Sequence, residues 1–513
     1  MTFFESLLVL LLAAVVLLQV ARRLSLPYPA MLAVAGVGLA LVPGAPTIAL
    51  DPETALALFI APVLLDAAFD FPLGAARRFW GPLVALAVVA VVVTTTLVAW
   101  IGWAFAGLPL AAAIALGAIV SPPDAAAATA VLGAVSIPRS TDAVLRGESL
   151  FNDATALLLL NGALAVQSHG AVDWGVGSRL LLAVPGGLLL GYLFAQGVRR
   201  INRYVTGTLG GNLLQFIIAF MVWIIAQRLQ LSAVLCMVAF AMTLARSAEL
   251  GQSPRMRVHS YAVWSTVVFV LNVFAFLMMG MQARTIVMQM QAARLDEALE
   301  FAGLVVAAVV LARLCSVVCY NRWTAWRYRR RGEPEPATVR QAVFLGWCGM
   351  RGLVTLATAF ALPASFPQRD LLVLTAFAVV LATLAVQGLT LVPLIRLLRL
   401  DQRGALAKEL AAARASLAEA ALEKLDGYDG PEMESLRYTY TVERPATDGR
   451  EGDAAFERRR EMGLAAVAAE RQRLAELRQK HEVGTETYDL LQEEIDWREL
   501  LLLPDGDRRI EAN

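Results

Sequence analysis

Residues 146–166 read RGESLFNDATALLLLNGALAV. Two carboxylates (Glu148, Asp153), a hydroxyl (Ser149) and an amide (Asn152) stand at the head of an apolar run long enough, with its flanks, to cross a bilayer, which takes about 20 residues. Helical neighbours lie three and four apart, so Ser149 sits above Asp153 and Glu148 above Asn152, on adjoining strips of one face. The opposite face is Ala and Leu. An ionisable group at membrane depth costs several kcal/mol unless it is paired or solvated, which makes it a functional residue by default. A hydrogen-bond cluster that merely holds helices together is the alternative. An oxygen-lined cation site is the stronger reading, because hard cations take carboxylate, hydroxyl and carbonyl oxygens together.

The chain around this stretch has the composition of a membrane protein. Its 513 residues are 58% hydrophobic and 17% charged, with mean hydropathy +0.61, whereas a soluble protein keeps about a quarter of its residues charged. Counting runs of roughly 20 apolar residues predicts about thirteen spans. Their limits are 3–21, 28–43, 53–70, 80–105, 109–134, 142–167, 177–200, 211–229, 231–246, 261–283, 298–320, 341–364 and 370–397. The run Phe3 to Val20 carries Glu5 near its start in place of a positive segment, and Arg22 and Arg23 follow it. A cleaved signal has the reverse polarity, so the run is expected to be a retained first span.

Arginine supports the count. With the N-terminus outside, every second loop should be cytoplasmic and basic. Those loops carry Arg22 and Arg23, Arg77 and Arg78, Arg139, Arg199 with Arg200 and Arg203, Arg255 and Arg257, and the cluster Arg327, Arg329, Arg330 and Arg331. The expected product is a multi-pass inner- or plasma-membrane protein with a cytoplasmic C-terminus. Beyond residue 400 the composition turns to Ala, Glu, Arg and Leu, so 1–400 is expected to be the membrane domain and 401–513 a helical cytoplasmic tail.

Two further spans carry charges where a continuous helix is disfavoured. In the fifth, Ser121-Pro122-Pro123-Asp124 precedes AAAATAVL. Consecutive prolines delete backbone donors, and such breaks survive in membranes only where protein or a wet cavity covers the freed groups. A broken helix exposes a positive half-helix N-terminus and bare carbonyls. Asp124 suits the first, and the Pro123 carbonyl could face an ion. In the twelfth, Gly346, Gly349 and Gly352 surround Arg351; an arginine there needs a partner, and Glu148 is the expected one. Spans 5 and 12 are seven apart and therefore run in opposite directions. Paired interrupted segments in inverted halves mark the substrate site of many secondary transporters, so the expected fold is all-α, with inverted repeats and two crossing broken helices.

Cys236, Cys315, Cys319 and Cys348 form no metal-type pair, and His169, His259 and His481 are far apart in sequence. No Walker loop, zinc spacing, nucleophile elbow or dinucleotide fingerprint is present. Neither an enzyme, a nucleic-acid partner, a nucleotide nor a resident cofactor is expected.

With these residues in hand, the chain resembles the sodium/proton exchangers of the monovalent cation/proton antiporter family over roughly residues 5–400. GESLFNDATALLL (147–159) is similar to the family's sixth-span motif, and its Asn152–Asp153 pair to the signature associated with electroneutral exchange. SPPDAAAATAVL (121–132) is similar to the fifth-span motif and CGMRGLVTLATAFALP (348–363) to the arginine-bearing twelfth. Weaker echoes are PVLLDAAFDFPL, LNVFAFLMMG and ARLCSVVCYNRW. The resemblance implies one-for-one exchange of Na⁺ for H⁺, with K⁺ or Li⁺ as the alternative cation, and a homodimer. It implies that Asp153 holds cation or proton, with Ser149, Glu148 and the Pro123 carbonyl beside it as Na⁺ ligands. Asn152, Asp124 and Arg351 would organise the crossing. Asp66 and Arg313, within spans 3 and 11, are further candidates for pairing or for lining a funnel. One departure stands out: the family often has Thr-Asp-Pro where this chain has Pro123-Asp124-Ala125, so a hydroxyl is lost.

Overall fold

Every regular element is a helix among the residues described in the computed structural model: 3–24, 28–40, 52–71, 73–124, 128, 137–169, 174–205, 209–248, 254–289, 292–331, 338–400, 403–428, 430–443, 451–480 and 485–503. Helices satisfy their own backbone, as lipid demands. In chain order they are α1 (Phe3–Leu24), α2 (Tyr28–Ala40), α3 (Pro52–Phe69), α4 (Leu73–Arg78) and α5 (Trp80–Ala106, with a π turn at Ala85–Ala90). There follow α6 (Leu110–Val120), α7 (Arg139–His169), α8 (Trp174–Val205), α9 (Leu209–Arg228), α10 (Ala233–Ala248), α11 (Pro254–Gln289) and α12 (Ala292–Arg331). The series closes with α13 (Val339–Trp347), α14 (Leu353–Phe360), α15 (Arg369–Leu398), α16 (Arg403–Leu425), α17 (Pro431–Glu443), α18 (Glu451–Gln479) and α19 (Thr485–Leu502). The chain divides into two compact units, Met1–Asp401 and Gln402–Ala512.

Six helices of the first unit are long and apolar enough to cross a membrane, and six shorter apolar ones accompany them among the described residues. Several helices outrun their hydropathy. The eleventh expected span, 298–320, is the middle of the 40-residue α12, and the tenth, 261–283, lies inside the 36-residue α11. Hydropathy marks what lies in hydrocarbon. Helical hydrogen bonding continues until a breaker stops it, and neither polar extension contains an internal Pro or a run of Gly.

Both expected breaks are present. α6 stops at Val120, and Ser121–Asp124 leaves the helix; beyond it only Ala128 is described, so most of the remainder of the fifth span lies outside the described residues. The twelfth span divides into α13 and α14, separated by the non-helical Cys348–Gly352. α13 begins with a capping box in which Thr338 and Gln341 satisfy each other's backbone N–H.

One apolar cluster includes Leu32, Ile60, Trp223, Phe240 and Phe276; a second includes Val98, Leu116, Val305 and Val379 and joins α5, α6, α12 and α15. Outward-facing Leu181, Leu182 and Trp103 remain exposed, as lipid contact allows. In the second unit α18 packs on α19 through Val467, Leu474 and Ile495. Flanking ion pairs join Arg471 to Asp496 at 2.9 Å and Arg498 to Glu470 at 2.8 Å.

Without a hydrophobic drive between helices in lipid, small residues let backbones approach and pack. α2 and α11 do this at Gly36 and Gly280, where a Cβ on either would stand 3.0 Å from the other's Cα. Gly38, two residues on, has nothing within 4 Å of such a Cβ. Gly36→Val should therefore cost about 1–3 kcal/mol of stability, the usual penalty of overpacking, while Gly38→Val leaves thermal unfolding in detergent unchanged.

Candidate ion site at the crossing of two broken helices

Where two helices lose their internal hydrogen bonds, the freed groups need other partners. The two breaks supply them to each other. Asp124 N–H donates to the Met350 carbonyl at 2.8 Å, and Leu353 N–H donates to Asp124 Oδ2 at 3.2 Å. Asp124 thus caps α14, the half-helix of the opposing break, where a carboxylate is favoured by the helix dipole. On the other side, Asn152 of α7 donates through Nδ2 to the Pro123 carbonyl at 2.8 Å. One amide therefore ties the acidic helix to the break in the fifth span.

The glycines of the twelfth span have a steric role that composition does not reveal. A Cβ at Gly346 would lie 2.9 Å from Leu314 Cδ2, and one at Gly349 would lie 2.8 Å from Arg313 Cγ. A Cβ at Gly352 would overlap the Asp124 carboxylate itself. Gly349 and Gly352 together admit one cation and one anion against a bare backbone.

The arginine that enters this way changes the expected pairing. Arg313 of α12 forms a two-pronged ion pair with Glu148, Nη1 to Oε1 and Nη2 to Oε2, the latter at 2.7 Å. Both residues are buried, at 3% and 1% exposure. Glu148 was expected to pair with Arg351 and to stand among the cation ligands. Instead both its oxygens are committed to Arg313, because α12 packs its only mid-span charge against the bare backbone at Gly349 and so reaches α7. Arg351 is fully buried; its backbone N–H donates to Thr383 Oγ1 at 3.1 Å, and its Nε and Nη1 have no partner among the described residues. It lies within electrostatic range of both Glu148 and Arg313.

Asp153 is 4% exposed, and no hydrogen bond or ion pair engages it among the described residues. The charge of Asp124 acts on it across the crossing. Ser149 is half-buried on α7, one turn before Asp153. Asp66 stays on α3 with Asp70 as its charged neighbour and makes no hydrogen bond to the crossing among the described residues. No group of three or more His, Cys, Asp or Glu stands together as a multidentate metal site among the described residues. Thr383 and Gln387, buried at 1% each on α15, were missed in the sequence. Two polar residues one turn apart in an apolar helix were the available signal.

A cavity of about 1040 Å³ lies further along α7, lined by Leu157, Asn161 and Ser168 of α7, Trp223 and Gln227 of α9, and Phe366. Leu157 lies one turn beyond Asp153, about 6 Å along the helix axis.

Two consequences can be measured. Gly352→Ala should push the Asp124 carboxylate off Leu353 and lose transport by about tenfold or more, since a lost cap costs about 0.5–2 kcal/mol in an assembly where both breaks share it. Glu148→Gln should lower stability by about 3–5 kcal/mol, because it strands a buried arginine. The double replacement Glu148→Gln/Arg313→Gln should cost clearly less than the sum of the single ones in thermal unfolding.

Comparison with known proteins gives the family and the fold. Residues 8–397 match the family described as sodium/hydrogen exchanger, transmembrane. The chain is 29% identical over 506 residues to the uncharacterized Na⁺/H⁺ exchanger YjcE of Escherichia coli K12, covering 89% of this chain and 90% of that one. It is 28% identical over 387 residues to a sodium, potassium, lithium and rubidium/H⁺ antiporter of Bacillus pumilus, covering 71% of this chain and 57% of that one. Among solved structures, the sodium proton antiporter MjNhaP1 of Methanocaldococcus jannaschii at pH 8 superposes with a TM-score of 0.58 at 17% identity, over 78% of this chain and all of that one, a likeness of fold. With a family match across most of the chain, and that fold around two crossed breaks, this protein belongs to the sodium/hydrogen exchanger family.

Proposed function

We propose that the chain exchanges one Na⁺ for one H⁺ across the membrane by alternating access, with Asp153 as the group both ions share. The observation that carries this reading is the state of Asp153. Every other acid at the crossing has a partner: Glu148 has Arg313, and Asp124 has the N-terminus of α14. Asp153 alone is buried without a hydrogen bond or ion pair among the described residues. A bare carboxylate in a low-dielectric interior is costly, so it takes either a proton or a cation.

Charge balance supports the one-for-one ratio. Two arginines, Arg313 and Arg351, stand with three carboxylates, Glu148, Asp124 and Asp153. One negative charge is left over, and a single proton or a single monovalent cation cancels it. The loaded states are then neutral at this centre, and the empty state is not, which favours crossing only when loaded. Ser149 and carbonyls of the fifth-span break complete the oxygen set around Na⁺. The Pro123 carbonyl can join it through its second lone pair, since Asn152 uses only one. The reading carries with it thirteen spans in two inverted halves, an outside N-terminus, a cytoplasmic tail and a homodimer.

K⁺ or Li⁺ in place of Na⁺ is the competing assignment, and the breadth of cations in the name of the Bacillus pumilus relative keeps it in play. Purified protein in vesicles, with a dye reporting internal pH, separates the cases. The expected result is proton release on adding Na⁺, unchanged when the membrane potential is clamped, and abolished in Asp153→Asn. Equal responses to K⁺ would reassign the ion; current without proton movement would make the protein a channel.

The cavity beyond Leu157 supplies access from one side. Leu157→Trp should fill it next to Asp153 and slow exchange by about tenfold or more, one wrong contact at the site being worth roughly 1.4 kcal/mol per decade. Thermal stability should fall by no more than about 1–3 kcal/mol, the usual penalty of overpacking, because Leu157 packs against both apolar clusters as well as lining the cavity.

A further inference from the structure

α12 is 40 residues long, about 60 Å at 1.5 Å per residue, whereas a bilayer measures about 40–45 Å with its headgroups. Between Glu300 and Arg322 it carries Arg313 as its only charge, a stretch of about 33 Å that matches the hydrocarbon core. The last turns, Tyr320–Arg331, therefore pass through the headgroup layer and just beyond it.

Their sequence is YNRWTAWRYRRR, with five arginines and no acid. Asn321 and Ala325 are buried against the bundle, while Trp323 and Trp326 are each 51% exposed. Trp323, Trp326, Arg327 and Arg330 recur at helical spacing and so form one stripe on the exposed side. Along it the cations stack on the rings: the Arg327 guanidinium lies 5.6 Å from the Trp323 ring and that of Arg330 lies 3.9 Å from the Trp326 ring. A cation over a ring uses the flat face of its guanidinium and leaves the N–H edge free of the ring. Indole rings favour the membrane interface, and a pre-oriented guanidinium edge matches phosphate oxygens in pairs.

The geometry points to a site for anionic phospholipid headgroups on this stripe, with Arg327 and Arg330 holding the phosphate and Trp323 and Trp326 setting its depth. Ion exchange alone has no use for this arrangement. A general excess of positive charge in a loop does not require the rings, the shared face or the stacking. The occupant is a lipid rather than a protein segment because the stripe lies at headgroup depth and is wholly cationic and aromatic.

The test reads lipid binding, so its outcome is independent of whether Asp153 carries exchange. Full-length protein is placed in nanodiscs of phosphatidylcholine with or without phosphatidylglycerol, and retained lipids are counted by native mass spectrometry as salt is raised. The wild type should retain phosphatidylglycerol preferentially, less so at high salt. Arg327→Gln/Arg330→Gln should weaken that preference about thirtyfold, roughly fivefold for each charge near the surface. Trp326→Leu, which keeps every charge, should weaken it by a smaller factor. Both variants alter exposed side chains, and an unchanged unfolding temperature in phosphatidylcholine confirms that they fold. A wild type without headgroup preference, as expected if an acidic protein segment covers the stripe, overturns the proposal. So does a preference that survives the double replacement.

Discussion

Lipid offers no solvation to a charge, so each ionised group in the membrane unit must find its counter-charge inside the protein. The centre of this molecule is built around that constraint. Glu148 and Arg313 meet two-pronged and buried, Asp124 spends its charge on the start of α14, and Asn152 quiets the carbonyl that the prolines expose. What remains is Asp153, together with the Arg351 guanidinium, whose Nε and Nη1 have no partner among the described residues. Burial of Asp153 without a hydrogen bond or ion pair among the described residues would be a defect in a structural protein, and on the proposed reading it is what an ion-competing carboxylate needs.

The two breaks depend on each other. Ser121–Asp124 and Cys348–Gly352 would each be unstable alone in a bilayer, since both leave backbone groups without helical partners. Crossed, they exchange a backbone hydrogen bond between Asp124 and Met350 and share the Asp124 cap. The close approach works only because Gly349 and Gly352 carry no Cβ. The same residues that weaken the helix make room for the charges that replace its hydrogen bonds. A site assembled this way sits on rigid elements, with the polar side chains of α7 held against it.

Much of this was legible in the chain. The acidic stretch at 148–153, the double proline and the glycine-flanked Arg351 all follow from spacing and the cost of burying charge. The identity of the ion pair was not legible. Arg313 is a lone charge in an apolar run, which marks it as important, but nothing in sequence says which acid it meets. Arg351 was equally eligible for Glu148. The choice depends on whether a guanidinium stem can pass Gly349, a contact between residues 36 positions apart. Thr383, which receives the Arg351 backbone N–H, is likewise invisible until α15 is laid beside the break.

By itself, then, the amino-acid order determined that this is a helical membrane protein with two interrupted spans and an acidic centre, because hydropathy, proline, glycine and buried charge each act locally and leave a local mark. Only the tertiary structure decided how the charges are shared: which carboxylate is neutralised by arginine, which caps a helix and which is left over. Those assignments rest on angstrom-scale contacts between distant helices, where a missing Cβ or a single amide settles the outcome, and no local pattern records them.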